Sequence, residues 1–315
     1  MIYIILIGEV FILKIVIVGA GAVGAYFGAR LEEAGQHVTF LVRKTRARQL
    51  EEEGLHITSP HGNYLFNQLN LVEDATQIEH ADLVILSVKG YHLEGTLPAL
   101  RTLVERGAKI LPLLNGLEHI PILQEQLGEE AVLGGFAYII TTLNEKGHVI
   151  HSSQNHDLIF GPLHPSQTGF CEELEQVMST AVIDARQSKQ ILMRMWNKYM
   201  FITAFSGVTT AANLPIGTIR QSPSTFNLLH KALIEMKNLA NAYHVSISEE
   251  QLNQAVTNLQ TLPHESTSSM HQDRRKGLTL EVEHLQGGAL RLANKAGIQL
   301  PVIETLYGLI KPFEQ

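Results

Sequence analysis

The sequence holds a single cysteine, Cys171, among 315 residues. That excludes an intrachain disulfide framework and any multi-cysteine zinc site, and it fits a reducing compartment, so a cytoplasmic location is expected. Positive charge is also scarce: 24 lysines and arginines stand against 31 aspartates and glutamates, for a net charge of −7 and a pI near 6.1. A broad basic face is therefore not expected, which argues against nucleic acid or a membrane surface as partner. Internal repeats and low-complexity tracts are missing too. Residues 1–13 are almost wholly apolar but carry Glu9, have no positive n-region and no small-residue cleavage site, and are too short to cross a bilayer. They read as a bland N-terminal extension, a product of start-codon choice, ahead of a core strand that begins at Lys14. The 15 histidines, among them His151, His156, His164, His264, His271 and His284, show no H-E-x-x-H or comparable spacing, so no metal is expected. Cys171 lies beside Glu172 and Glu173 with no sign of activation and reads as inert.

What is present is a chain rich enough in apolar residues, 45% against 17% charged, to bury a sizeable core. At this length two domains are the default expectation. Residues 14–18 form a short β-branched run ending at a glycine turn, residues 22–34 have helical composition with Gly35 as a stop, and residues 38–42 are a second buried strand. Strand, tight turn, helix and strand in this order make a βαβ unit. Similar runs recur at 83–88 and 110–114, each followed by a loop and a helical pattern, which predicts an α/β fold with a doubly wound parallel sheet. Residues 56–72 alternate around Pro60-His61-Gly62-Asn63 and predict a hairpin-like insertion. Residues 132–142 and 147–160 predict a further pair of strands. Past Ser188 the strand-like runs give way to helical segments at 189–205, 224–243, 248–259, 278–295 and 301–310, with Gly297 closing one helix and Pro301 opening the next. The expected organisation is an extension over 1–13, an α/β domain over 14–187 and an all-helical domain over 188–315.

The turn itself is Gly19-Ala20-Gly21-Ala22-Val23-Gly24, a G-x-G-x-x-G pattern set directly between a buried strand and a helix. The first glycine permits the tight turn, the second lets backbone approach a pyrophosphate, and the third lets the helix pack on the strand. The free N–H groups and positive dipole end of the helix complete a dinucleotide site of Rossmann type. An acidic residue about twenty positions on would select NAD through the ribose 2′-OH. Here Arg43 occupies that position, followed by Lys44, Arg46 and Arg48, with no carboxylate until Glu51. A guanidinium pairs with a 2′-phosphate that a carboxylate would repel, so NADP(H) is favoured; a solvated basic helix start is the plain alternative. Farther on, Ile191, Met195, Lys198 and Ile202 share one helical stripe. A lysine in an apolar stripe either snorkels to solvent or is held by a partner or a lowered pKa.

Taken with Leu41-Val42-Arg43, Ser87-Val88-Lys89, Leu114-Asn115-Gly116, Trp196-Asn197-Lys198, Ser268-Ser269-Met270-His271-Gln272-Asp273 and Glu281, the sequence resembles the ketopantoate reductase (2-dehydropantoate 2-reductase) family from residue 14 to near its C-terminus. The resemblance implies a Rossmann domain and a helical domain with the active site in the cleft between them, and NADPH reduction of a 2-keto acid to a 2-hydroxy acid, the step that makes pantoate in pantothenate biosynthesis. It implies that Lys89 contacts the cofactor and that Asn115 touches both nicotinamide ribose and substrate. Lys198 would be the general acid that protonates the carbonyl oxygen, Glu281 the second catalytic residue, and Ser269 a substrate-carboxylate contact. On the residues alone, Lys89 reads as a surface lysine and Asn115 as a turn residue.

The departure from the family lies on the substrate side. Asparagines typical of the family four and eight residues after the lysine, and in the loop beyond, are here Ile202, Ser206 and Ile216. A site discriminates strongly through hydrogen bonds only while those partners exist. A more apolar 2-keto acid or a related ketone is therefore as consistent with the sequence as ketopantoate. A non-catalytic NADPH sensor is the reading from another class, against which stand Lys198 and Glu281, since a sensor needs neither. The oligomeric state, a homodimer included, is left open by the sequence.

Overall fold

In the computed structural model, residues 12–314 are described, so the extension expected over 1–13 lies outside the described residues save for Ile12 and Leu13. Leu13 is buried, and its N–H donates to Gln36 Oε1 at 2.8 Å. The β-branched run that follows is strand β1 (Lys14–Val18), buried at every residue but the first. It leads through the glycine turn to α1 (Ala22–Glu33), β2 (His37–Leu41), α2 (Lys44–Glu53), β3 (Leu55–Thr58), β4 (Tyr64–Phe66), β5 (Asn70–Val72) and β6 (Leu83–Leu86). Then come α3 (Leu93–Glu105), β7 (Lys109–Pro112), α4 (His119–Leu127), β8 (Gly134–Leu143), β9 (Val149–Gly161), α5 (Thr168–Met178) and β10 (Asp184–Gln187).

The first sheet has the order β5-β2-β1-β6-β7 with every pair parallel. The chain leaves β1 toward β2 on one side and reaches β6 on the other. The carboxyl ends of β1 and β6 are therefore the topological switch point, where such sheets bind ligands. The insertion expected over 56–72 divides. β3 and β4 pair antiparallel as a hairpin, whereas β5 leaves it to pair in parallel with β2, and Asn70 Nδ2 donates to Thr39 Oγ1 at 2.6 Å. A second sheet runs β10-β9-β3-β4, with β8 antiparallel on β9. Beside it His61 stacks on His156 with ring centroids 3.8 Å apart, and the Tyr26 hydroxyl meets His156 Nδ1 at 2.7 Å. The wholly buried Arg30 guanidinium lies 3.9 Å over the Tyr64 ring.

The rest of the chain is helical: α6 (Ile191–Ala212), α7 (Ile216–Gln221), α8 (Pro223–Ala242), α9 (Glu249–Thr261), α10 (Ser269–Lys276), α11 (Gly288–Ala296) and α12 (Pro301–Ile310). α6 is apolar around most of its girth and correspondingly buried, the pattern of a central helix. It runs to Ala212 rather than stopping near residue 205, because Asn213 in the left-handed conformation is what closes it. The single helix expected over 278–295 is also corrected. Gly277, at φ +65°, caps α10; residues 278–281 are not helical; and a π-helical turn, Glu283–Gly287, precedes α11. The chain divides into two compact units: residues up to Val88 with Thr96–Leu113 and Gln126–Lys189, and Lys89–Gly95 with Leu114–Glu125 and everything from Gln190. No helix among the described residues is long and apolar enough to cross a membrane.

Candidate active site

In the first unit the glycine turn sits at the carboxyl end of β1. Gly19 adopts φ +96°, a left-handed value that an L side chain resists, and a Cβ there would also press on Val88. A Cβ on Gly24 would fall on the Ser87 hydroxyl and the Gly19 carbonyl, which are themselves joined by a 2.8 Å hydrogen bond. The third glycine thus lets α1 start against the turn and the end of β6. Gly21 is different: nothing lies within 4 Å of where its Cβ would stand. Packing does not require glycine there, whereas close approach of a pyrophosphate would. Residues 19–24 therefore fit a dinucleotide. Arg43 is exposed as the N-cap residue of α2, and its guanidinium meets no partner among the described residues. Two others of the basic run are spent elsewhere. Arg48 pairs with Glu52 at 3.8 Å, and Arg46 turns inward to donate from Nε to the Ala20 carbonyl at 2.9 Å.

The second unit gathers the remaining candidates. Lys89 leads a 3-10 turn (Gly90–His92) just past β6, and its Nζ lies 2.8 Å from Glu281 Oε2 and 3.1 Å from Asp273 Oδ2. Burial alone would lower its pKa, but the two carboxylates outweigh that and raise it above the ordinary lysine value. Glu281 is only 4% exposed, and its other oxygen accepts from the Gly90 N–H at 3.4 Å. A π-helical turn follows at Glu283–Gly287, a feature frequent at functional sites.

Lys198, on the buried face of α6, donates from Nζ to Asn115 Oδ1 at 3.1 Å. It is 8% exposed, and burial draws its pKa down from 10.5 to about 8 against the opposing pull of Glu281. Snorkelling is therefore not the solution the lysine adopts. Asn115 also lines a cavity of about 430 Å³ with Gly90, Leu114, His119 and His284 among its walls. His119 is buried, its Nε2 without a partner, and burial followed by the charge of Lys198 presses its pKa down to about 3, so it is neutral. Sequence reasoning missed His119 and gave Asp273 no role, although Asp273 stood within a quoted motif.

The substrate-side candidates differ in exposure. Ile202 is half-buried on α6, Ser206 is buried with an unpartnered Oγ, and Ile216 is wholly buried. Ser269 is exposed in the first turn of α10, while its neighbour Ser268 is the buried N-cap, bonded to His271 N–H and the Thr209 hydroxyl.

Comparison with known proteins agrees with these features. Residues 15–165 match the family model for ketopantoate reductase PanE/ApbA, and residues 190–314 match the model for its C-terminal part. An uncharacterized oxidoreductase, YkpB of Bacillus subtilis, is 32% identical over 96% of this chain and 99% of its own length. The crystal structure of 2-dehydropantoate 2-reductase from Geobacter metallireducens superposes with a TM-score of 0.87 at 29% identity, covering 95% of this chain and 99% of that one. The ternary structure of D-mandelate dehydrogenase with NADH and anilino(oxo)acetate shares the fold, with a TM-score of 0.87 at 21% identity over 96% of this chain and 98% of that one. With both parts of the chain matched, the protein is an oxidoreductase of the ketopantoate reductase family.

Proposed function

We propose that the protein reduces a 2-keto acid to the corresponding 2-hydroxy acid with NADPH, acting in the cytoplasm. The observation that carries this reading is Lys198, a buried lysine with a pKa near 8, hydrogen-bonded to Asn115. When bound, NADPH supplies a hydride to the keto carbon. The residues that would hold it are the Gly19–Gly24 backbone, Arg43 at the 2′-phosphate, and, from the family resemblance, Lys89 and Asn115. Lys198 Nζ gives its proton to the carbonyl oxygen as negative charge develops there, and a lysine whose pKa lies near the working pH does this best. Asn115 fixes the ammonium by accepting from it. Glu281, held by Lys89 Nζ and the Gly90 N–H, stands beside the reacting centre and orients the hydroxyl of the product. Ser269 receives the substrate carboxylate.

The side chain of the substrate is more apolar than that of ketopantoate. Ile202 and Ile216 offer no hydrogen bond, and the Ser206 hydroxyl is buried. The test is nucleotide oxidation across a panel of 2-keto acids, ketopantoate and branched aliphatic acids included. Turnover fastest with an apolar 2-keto acid supports the whole reading, and fastest turnover of ketopantoate refutes its substrate part. Tight NADPH binding without turnover of any acid favours the sensor.

A further inference from the structure

In the basic run after β2, for which a solvated helix start is the plain alternative, Arg46 is half-buried against the glycine turn. Nε donates to the Ala20 carbonyl at 2.9 Å, and Nη1 donates to Gln49 Oε1 at 2.6 Å and to the Gly147 carbonyl at 2.9 Å. One guanidinium thus ties the turn between β1 and α1 to the first turns of α2 and to the loop joining β8 and β9. Gly147 is fitted to this arrangement. It takes φ +76°, and a Cβ on it would fall on Arg46 Nη1 and Gln49 Oε1. All three acceptors are neutral. Among the described residues no carboxylate lies within ion-pair distance of Arg46, and its Nη2 is buried without any partner. Burial lowers its pKa, but a guanidinium remains protonated throughout the physiological range. A half-buried cation with a buried, unpartnered Nη2 and no counter-charge gains from an anion nearby. Here it lies behind the carbonyl of the residue between Gly19 and Gly21, and Gly21 faces open space.

We propose that Arg46 is a positioning residue for the dinucleotide, which holds the glycine turn in its binding shape and leaves its half-buried charge to be balanced by the pyrophosphate. This rests on the cofactor reading above, and it separates the two arginines. Arg43 reads the 2′-phosphate, which NADPH has and NADH lacks. Arg46 acts on the pyrophosphate, which both share.

The experiment is direct titration of NADPH and NADH, followed by nucleotide fluorescence, into the wild type and into Arg46→Met, Arg46→Lys and Gly147→Ala. Loss of a charge-assisted bond is expected to weaken both nucleotides alike in Arg46→Met, by about tenfold each. Arg46→Lys restores part of the loss, since it keeps the charge without the fork. Gly147→Ala displaces the clamp from its far side and weakens both nucleotides as well, and it carries the test should the Met variant fail to fold. Unchanged affinity for both nucleotides in a folded Arg46→Met, or in Gly147→Ala if the Met variant does not fold, overturns the proposal. So does a loss confined to NADPH, which would make Arg46 a 2′-phosphate contact. A wild type that binds neither nucleotide refutes the cofactor reading itself, a separate outcome.

Discussion

Replacing Lys198 by methionine is expected to abolish reduction while making the protein more stable at neutral pH. The drop in the lysine pKa from 10.5 to about 8 means that burying the ammonium costs roughly 3 kcal/mol, at about 1.4 kcal/mol per pH unit. Lys198 is 8% exposed, so little of this is screened away. Methionine has a similar length and no charge, but it leaves Asn115 Oδ1 without its donor, a loss of about 1 kcal/mol. The net gain is about 2 kcal/mol at pH 7, or roughly 3 °C in the thermal midpoint of a chain this size. The sign of the pH dependence is fixed by the direction of the shift. The folded lysine loses its proton near pH 8 and the unfolded one near 10.5, so between these values the unfolded chain binds more protons and wild-type stability rises with pH. The advantage of the Lys198→Met variant should therefore be full below pH 8 and shrink as pH approaches 10.5. Thermal unfolding of both proteins across this range, without nucleotide, measures it. A variant less stable than wild type at pH 7, or an advantage that does not shrink with pH, would refute the reasoning. Turnover in the same variant should fall by about a hundredfold or more, the usual scale of general acid catalysis.

Three further outcomes follow from particular contacts. Arg43→Asp should shift nucleotide preference toward NADH, read as the ratio of the two dissociation constants, because a carboxylate repels the 2′-phosphate. Gly21→Ala should leave apo stability unchanged while weakening nucleotide binding, since its Cβ enters open space; Gly24→Ala should cost roughly 1–3 kcal/mol of stability by displacing Ser87 and the Gly19 carbonyl. Equal thermal midpoints for the two glycine variants would count against the packing described here. Burial, and then His61, press His156 to about 4, below its unfolded value near 6.5. Its contribution, roughly 3 kcal/mol, is present above pH 6.5 and lost as pH falls toward 4, which urea unfolding at a series of pH values would show.

Much of the fold is written in local pattern. The β1-turn-α1-β2 unit, the parallel sheet and the long helices rest on short β-branched runs, helical periodicity and glycine stops, each of which acts within a few residues. The lysine at 198 was visible because its charge interrupts an apolar stripe. What escaped depends on partners distant in sequence. β5 joins β2 rather than the hairpin beside it because register across the sheet, not local alternation, decides its neighbour. The π-helical turn at Glu283–Gly287 has the composition of ordinary helix, so local pattern does not announce it. The pairing of Lys89 with Glu281 and Asp273 spans more than 180 residues of sequence, so no spacing rule could announce it. Arg46 shows the converse hazard: nothing in a basic run tells which member turns inward, and here the donors of Arg46 are used inside the protein.

The central claim is that a hydride passes from NADPH to a keto carbon while Lys198 protonates the oxygen. The most direct measurement is the mass of the hydroxy acid formed from NADPH deuterated at the transferable position, with wild type and the Lys198→Met variant side by side. The account predicts one deuterium on the hydroxyl-bearing carbon of the wild-type product and almost no product from the variant. Nucleotide oxidation that leaves the acid unlabelled, or a labelled product formed by the variant at the wild-type rate, would contradict it.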